Sequence, residues 1–161
     1  MRWTRLLVLL LCLPITACAG SQEVTRMSTR PAMAFVDSAP LYPNETPQLR
    51  RLIEKYAALY DVPVKLIQKV VIRESTHRPR ARNGPYYGLM QILPATARSM
   101  GFQGENPDLL DAETNLKYAV KYLRGAWMVS DGSLDTAVRW YARGYYYEAK
   151  RRNLLDETGL R

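Results

Sequence analysis

The sequence predicts a mostly α domain, preceded by an export segment and a polar linker. Apolar residues recur at helical spacing from residue 46 onward, and helix-start and helix-stop residues punctuate that pattern. No Val/Ile/Thr-rich alternating run of strand length interrupts it. The chain has 161 residues, with 23 Lys and Arg against 15 Asp and Glu, a net charge of +8.

The first element is a leader. Met1-Arg2-Trp3-Thr4-Arg5 supplies positive charge and Leu6 to Leu13 is almost wholly apolar, a stretch well short of the roughly 20 residues that span a bilayer as a helix. Ile15-Thr16-Ala17-Cys18 resembles a bacterial lipobox. The resemblance implies that residues 1–17 are a lipoprotein signal peptide and that Cys18 becomes the lipidated N-terminus; an ordinary secretory signal is the alternative. Ala19, rather than Asp, follows Cys18, which favours the outer membrane of a Gram-negative bacterium over the inner one. Residues 18–45 carry Ser21, Thr25, Ser28, Pro31, Ser38, Pro40 and Pro43 without a sustained apolar period, and read as a flexible tether.

The exported part, without Arg2 and Arg5, keeps a net charge of about +6, so its partners are expected to be acidic. Export turns that expectation away from nucleic acid and towards anionic wall peptides and membrane headgroups. Cys12 leaves with the leader and Cys18 would carry lipid, so the folded domain has no thiol for a disulfide or for catalysis. With one histidine, His77, zinc sites and Ser/His or Cys/His triads lack material, and neither metal nor cofactor is expected.

Residues 46–161, about 115 positions, suffice for one core. Thr46 as N-cap and Pro47 at the first helical position open a helix running to about Asp61, with Leu49, Leu52, Ile53, Tyr56, Ala57 and Tyr60 on one stripe. Pro63 opens a second helix that stops before Pro79. The segment from Pro79 to Gln91, with Asn83, Gly84, Pro85 and Gly88, has the chemistry of a loop or short hairpin. Pro94 starts a short helix to Met100, closed by Gly101. Asp111 precedes the longest stripe, from Ala112 through Leu116, Ala119, Val120, Leu123, Ala126 and Trp127 to Ser130. After Asp131-Gly132, Ser133 caps a helix on which Leu134, Ala137, Val138, Tyr141 and Tyr145 are expected to share a face, and a last amphipathic stretch reaches about Leu155.

Glu74 is the candidate catalytic residue. It follows Val71, Val70 and Ile67 by 3, 4 and 7 positions, so its carboxylate projects from the buried face of the second helix. Desolvation there raises its pKa, as a general acid near neutral pH requires. The alternative is a frayed helix end with Glu74 turned to water. Arg73, Arg78, Arg80 and Arg82 flank this segment as a basic rim, solvated or set to meet peptide carboxylates.

Glu74-Ser75, then Gly88-Leu89-Met90-Gln91-Ile92 with Pro94-Ala95-Thr96-Ala97, then Asn115-Leu116 with Tyr122-Leu123, then Tyr141 with Gly144, resembles the ordered motif series of the soluble-lytic-transglycosylase-like family. The match covers most of residues 47–146. It implies a lysozyme-like, two-lobed helical domain with a substrate groove. It also implies cleavage of the β-1,4 bond between N-acetylmuramic acid and N-acetylglucosamine in peptidoglycan, leaving a 1,6-anhydromuramic acid end. Glu74 would serve as single acid and base, where ordinary glycosidases use two carboxylates. No second acid lies between Glu74 and Glu105, though Asp108 or Asp135 could approach in space. By the same resemblance Ser75, Asn83, Met90, Gln91 and Tyr141 belong to the substrate site, with Tyr141 bonding the glutamate and Ser75 acting behind it or as a helix cap. Asn115, Tyr122 and Leu123 would position the groove wall. The expected protein is a monomeric, lipid-anchored periplasmic enzyme whose partners are peptidoglycan strands and, through Cys18, the membrane.

Three features depart from the family pattern. Tyr141-Ala142-Arg143-Gly144 stands where the family has Tyr-Asn-Ala-Gly, His77 replaces a common aromatic residue, and Asn83 stands for a serine. The missing amide at Ala142 keeps two alternatives open, a hydrolytic muramidase on the same fold and a non-catalytic peptidoglycan-binding envelope lipoprotein.

Overall fold

The computed structural model describes residues 40–160; the leader, Cys18 and most of the tether lie outside them. Six α-helices and one two-stranded hairpin follow in chain order: α1 (Pro47–Tyr60), α2 (Val64–Ser75), β1 (Arg82–Asn83), β2 (Tyr86–Tyr87), α3 (Pro94–Ser99), a 3-10 helix (Asn106–Leu110), α4 (Ala112–Met128), α5 (Leu134–Arg143) and α6 (Tyr146–Arg151). The domain is therefore mostly α, and the hairpin occupies the segment expected as a loop or short hairpin.

Local chemistry sets most boundaries. Thr46 Oγ1 accepts from the Leu49 amide at 3.1 Å and Pro47 occupies the first turn, which fixes the start of α1. Asp111 and Ser133 cap α4 and α5 in the same way, accepting from the amides of Thr114 and Thr136. α2 ends three residues earlier than Pro79 alone would dictate. Thr76 and His77 both take left-handed backbone, at φ 51° and 57°, and Arg78 Nε donates to the Ser75 carbonyl at 2.9 Å, so the chain reverses just after Glu74.

α4 is the central helix and packs against α1, α3, α5 and the 3-10 helix. Leu116, Ala119, Val120, Leu123 and Ala126 are fully buried along it, meeting Ile53, Leu66, Ile67, Val70 and Val71 in one core. Gly125 faces Tyr145, and a Cβ at that position would collide with the Tyr145 ring and hydroxyl. That close approach lets Tyr145 Oη donate to the Tyr122 carbonyl at 2.8 Å.

The C-terminal third departs from the expectation. Gly144, at φ 84°, ends α5 at Arg143, so Tyr145 does not continue the α5 face and instead enters the core between α5 and α6. α6 stops at Arg151, and turns through Asn153, at φ 58°, carry the chain past Leu155. α4 ends at Met128, just before Ser130 Oγ donates to the Trp127 carbonyl at 2.7 Å. The 3-10 helix has too few residues for periodicity to reveal it.

Candidate active site

Glu74 lies on the last turn of α2, where the apolar residues before it commit the helix to the core. Its side chain is 22% exposed, and Arg73 Nε stands 3.5 Å from Oε1. Burial pushes the Glu74 carboxyl above the ordinary range, opposed by the Arg73 charge. The outcome is an acid that keeps its proton to higher pH than a free glutamate.

This carboxyl opens into a cleft of about 540 Å³. Its walls are the end of α2, the hairpin, residues 91–93, Thr96 of α3, Tyr122 of α4 and the end of α5. Glu74 is the only acidic residue among those lining it. Asp135 instead pairs with Lys69 at 2.7 Å, and Asp108 lines a different cavity on the far side of the hairpin. Among the described residues, no second carboxylate lines the cleft.

Four of the expected site residues, Glu74, Asn83, Gln91 and Tyr141, come together in this cleft. Gln91 is held at φ 48°, and its Nε2 donates to the carbonyls of Gly88 at 2.8 Å and Ala81 at 3.1 Å. Those two bonds fix which way the amide points and use both its hydrogens. Oε1 is left buried with no partner among the described residues, so the amide does not present to the cleft the donor and acceptor expected of it.

Tyr141 is buried at the cleft's base. Its hydroxyl donates to the Met90 carbonyl at 2.8 Å instead of bonding Glu74. Desolvation, with the neighbouring Glu74 charge second, holds its pKa well above that of a free phenol. It is a neutral wedge that ties α5 to the Gly88–Gln91 turn. The Tyr122 ring meets it edge-on at 5.5 Å.

Ser75 and Met90 stand behind the wall. Ser75 is buried, and its Oγ donates to the Leu89 carbonyl at 2.7 Å, while Met90 is fully buried in the core. Neither side chain lines the cleft; they position the turn that does. Asn115 completes this support from α4. Its Oδ1 accepts from the Met90 amide at 3.0 Å, and its Nδ2 donates to the carbonyls of Tyr87 at 2.9 Å and Leu109 at 2.8 Å. Gly88 must be glycine here, because at φ 74° a Cβ would strike Asn115 and the Leu109 carbonyl.

Among the departures, Ala142 and Arg143 do line the cleft, and the Arg143 guanidinium lies 3.9 Å over the Trp140 ring. His77 does not line it. Its Nε2 lies 2.6 Å from Gln68 Oε1, its ring stacks on Tyr42 at 5.5 Å, and burial lowers its pKa. Sequence reasoning missed Tyr86 as a lining residue. The hairpin register pairs it with Asn83, which puts both on one face, and only the two-residue alternation of a strand could have signalled this.

A helical body with one desolvated carboxyl in an open, aromatic-walled cleft fits a lysozyme-like domain. The model of the Transglycosylase SLT domain matches residues 51–154, nearly the whole folded region, and the chain belongs to that family. It is 30% identical over 124 residues to the membrane-bound lytic murein transglycosylase F of Shewanella woodyi, a match covering 73% of this chain and 25% of that protein. The chain thus corresponds to about a quarter of the curated relative's length. No solved structure matches it.

Proposed function

We propose that this protein is a peptidoglycan lytic transglycosylase, cutting the β-1,4 bond between N-acetylmuramic acid and N-acetylglucosamine. The observation that carries the reading is the lone, desolvated Glu74 in the cleft of an SLT-family domain. A carboxyl with a raised pKa can give its proton to the leaving glycosidic oxygen as the bond to the anomeric carbon breaks. The resulting carboxylate then takes the proton of the muramic acid C6 hydroxyl as that oxygen bonds the same carbon. Glu74 ends protonated as it began, and the product is a 1,6-anhydro ring with no water consumed. The absence of a second acid from the cleft walls favours this route over the two-carboxylate alternatives.

Asn83 and Tyr86 line the same space, and the Asn83 amide fits a sugar hydroxyl or an acetamido group. Arg143 stands beside Ala142 where the family carries its amide, and it offers a charged donor in that part of the cleft. The domain would act as a monomer in the periplasm, anchored to the outer membrane through lipidated Cys18. Digestion of purified peptidoglycan followed by mass spectrometry tests the chemistry. Anhydro ends from the wild type and none from Glu74→Gln support it, whereas reducing ends with added water identify a hydrolase. Equal release by both proteins means that Glu74 is not the acid. Incorporation of labelled fatty acid into the wild type and not into Cys18→Ala tests the anchor.

A further inference from the structure

The hairpin has two faces, and only one belongs to the Glu74 cleft. Successive residues of a strand point to opposite sides. Asn83 and Tyr86 accordingly line the cleft, while Arg82 lines a separate cavity of about 1210 Å³ behind the hairpin. Arg78, Arg80 and Arg82, at alternate positions of the segment leading into β1, line that cavity together with Asp108 and Asp111. No ion pair among the described residues engages any of the three arginines. Two are nevertheless held in place. The Arg82 guanidinium lies 4.6 Å over the Tyr87 ring, and Arg78 uses only its Nε, on the Ser75 carbonyl, leaving its terminal nitrogens free to donate.

Three cations spaced along an open loop repel one another, and a bound polyanion relieves that repulsion. The acids opposite them select further. A uniformly anionic surface such as a bilayer is repelled by Asp108 and Asp111, whereas a short chain bearing several carboxylates and an amine matches both sets of charges. Such a chain hangs from the muramic acid units of peptidoglycan, and the hairpin contributes lining residues to both cavities. We propose that the cavity behind the hairpin is a docking site for the carboxylate-rich stem peptide of the strand whose sugars occupy the Glu74 cleft. This assignment rests on the transglycosylase reading for its choice of ligand.

The test uses the full chain, Arg80→Glu and the conservative Arg80→Lys, with unchanged melting temperature as the check on folding. Binding of the free stem tetrapeptide is measured by amide chemical-shift titration. Cleavage is measured on glycan strands with and without their peptides. Wild type and Arg80→Lys should bind the peptide with shifts confined to residues 78–82 and 107–112, and Arg80→Glu should bind about tenfold more weakly. The ratio of cleavage rates on intact over stripped strands should exceed one for the wild type and fall severalfold in Arg80→Glu. Rising salt should erase the wild-type preference. A wild type that cleaves strands but binds no peptide overturns the docking site and leaves the enzyme reading intact. An equal fall on both substrates, or Arg80-dependent binding to anionic phospholipid vesicles without peptide binding, also overturns it. Peptide binding at this cavity with no cleavage of any strand overturns the transglycosylase reading instead.

Discussion

A carboxylic acid with a raised pKa stabilises the fold differently from one in an ion pair. For Glu74 the folded state holds the proton more tightly than the unfolded chain does, so ionisation at neutral pH opposes folding. Below the unfolded value of about 4.5 this penalty vanishes, and it grows as pH rises through the folded value. Glu74→Gln, which keeps the shape and removes the charge, is therefore expected to be more stable than the wild type at pH 7 by the order of 1 kcal/mol, with no gain at pH 4. Urea unfolding at the two pH values checks this. The same substitution should lower the glycan-cleavage rate by about 10²- to 10⁴-fold, and wild-type activity should fall on the alkaline side as Glu74 loses its proton. At this scale the sequence was informative, because Val70, Val71 and Ile67 face Glu74 inward by spacing alone. What spacing cannot tell is where a long polar side chain sends its hydrogen bonds. Tyr141 and Gln91 spend theirs on backbone carbonyls brought close by the tertiary fold, and Ser75 and Met90 lie behind the cleft wall for the same reason.

The helices were legible wherever a cap and a stripe coincided, as at Thr46, Asp111 and Ser133, and less so where a single residue of special backbone ended one. Gly144 cut α5 before Tyr145, and Gly125 made the room that Tyr145 fills. Gly125→Ala weighs two opposed effects. Alanine raises helix propensity by about 1 kcal/mol, but overpacking against a buried ring costs about 1–3 kcal/mol, and the tie to Tyr122 weakens with it. The expected result is a net loss of stability in thermal melts and a lowered cleavage rate, since the Tyr122 ring lines the cleft. The turn carrying Gln91 depends on α4 through one amide. Asn115→Ala leaves the Met90 amide and the Tyr87 and Leu109 carbonyls without their buried partner, and should destabilise the domain by about 2–4 kcal/mol. Amide hydrogen exchange should report the fastest new opening at residues 87–91.

The domain as a whole is closed at its N-terminal edge by a polar network that periodicity does not display. Glu45 is buried. Its carboxylate accepts from Arg50 Nε at 2.7 Å, from Gln68 Nε2 at 2.8 Å and from the Tyr42 amide at 2.9 Å, while Gln68 continues to His77. Burial alone would raise the Glu45 pKa, but the bonds from Arg50, Tyr42 and Gln68 outweigh it and hold the carboxyl at about 2. This contribution is complete above the unfolded value of 4.5 and is lost as pH falls towards 2. Glu45→Gln should therefore be less stable than the wild type by about 1–2 kcal/mol at pH 7, a figure kept small because the Arg50 partner is partly exposed. The gap should close between pH 4.5 and about 2 in denaturant titrations, as set by the Glu45 shift. The same edge is also fastened to the end of α2. Asn44 Nδ2 donates to the Thr76 carbonyl at 3.0 Å, Arg50 Nη2 donates to the Pro40 carbonyl at 3.2 Å, and Tyr42 lies flat against His77. One of these contacts ends two residues past Glu74, so the segment before α1 and the end of α2 are tied to each other. A substitution at Asn44, far from the cleft in sequence, therefore acts directly on the helix end that carries Glu74.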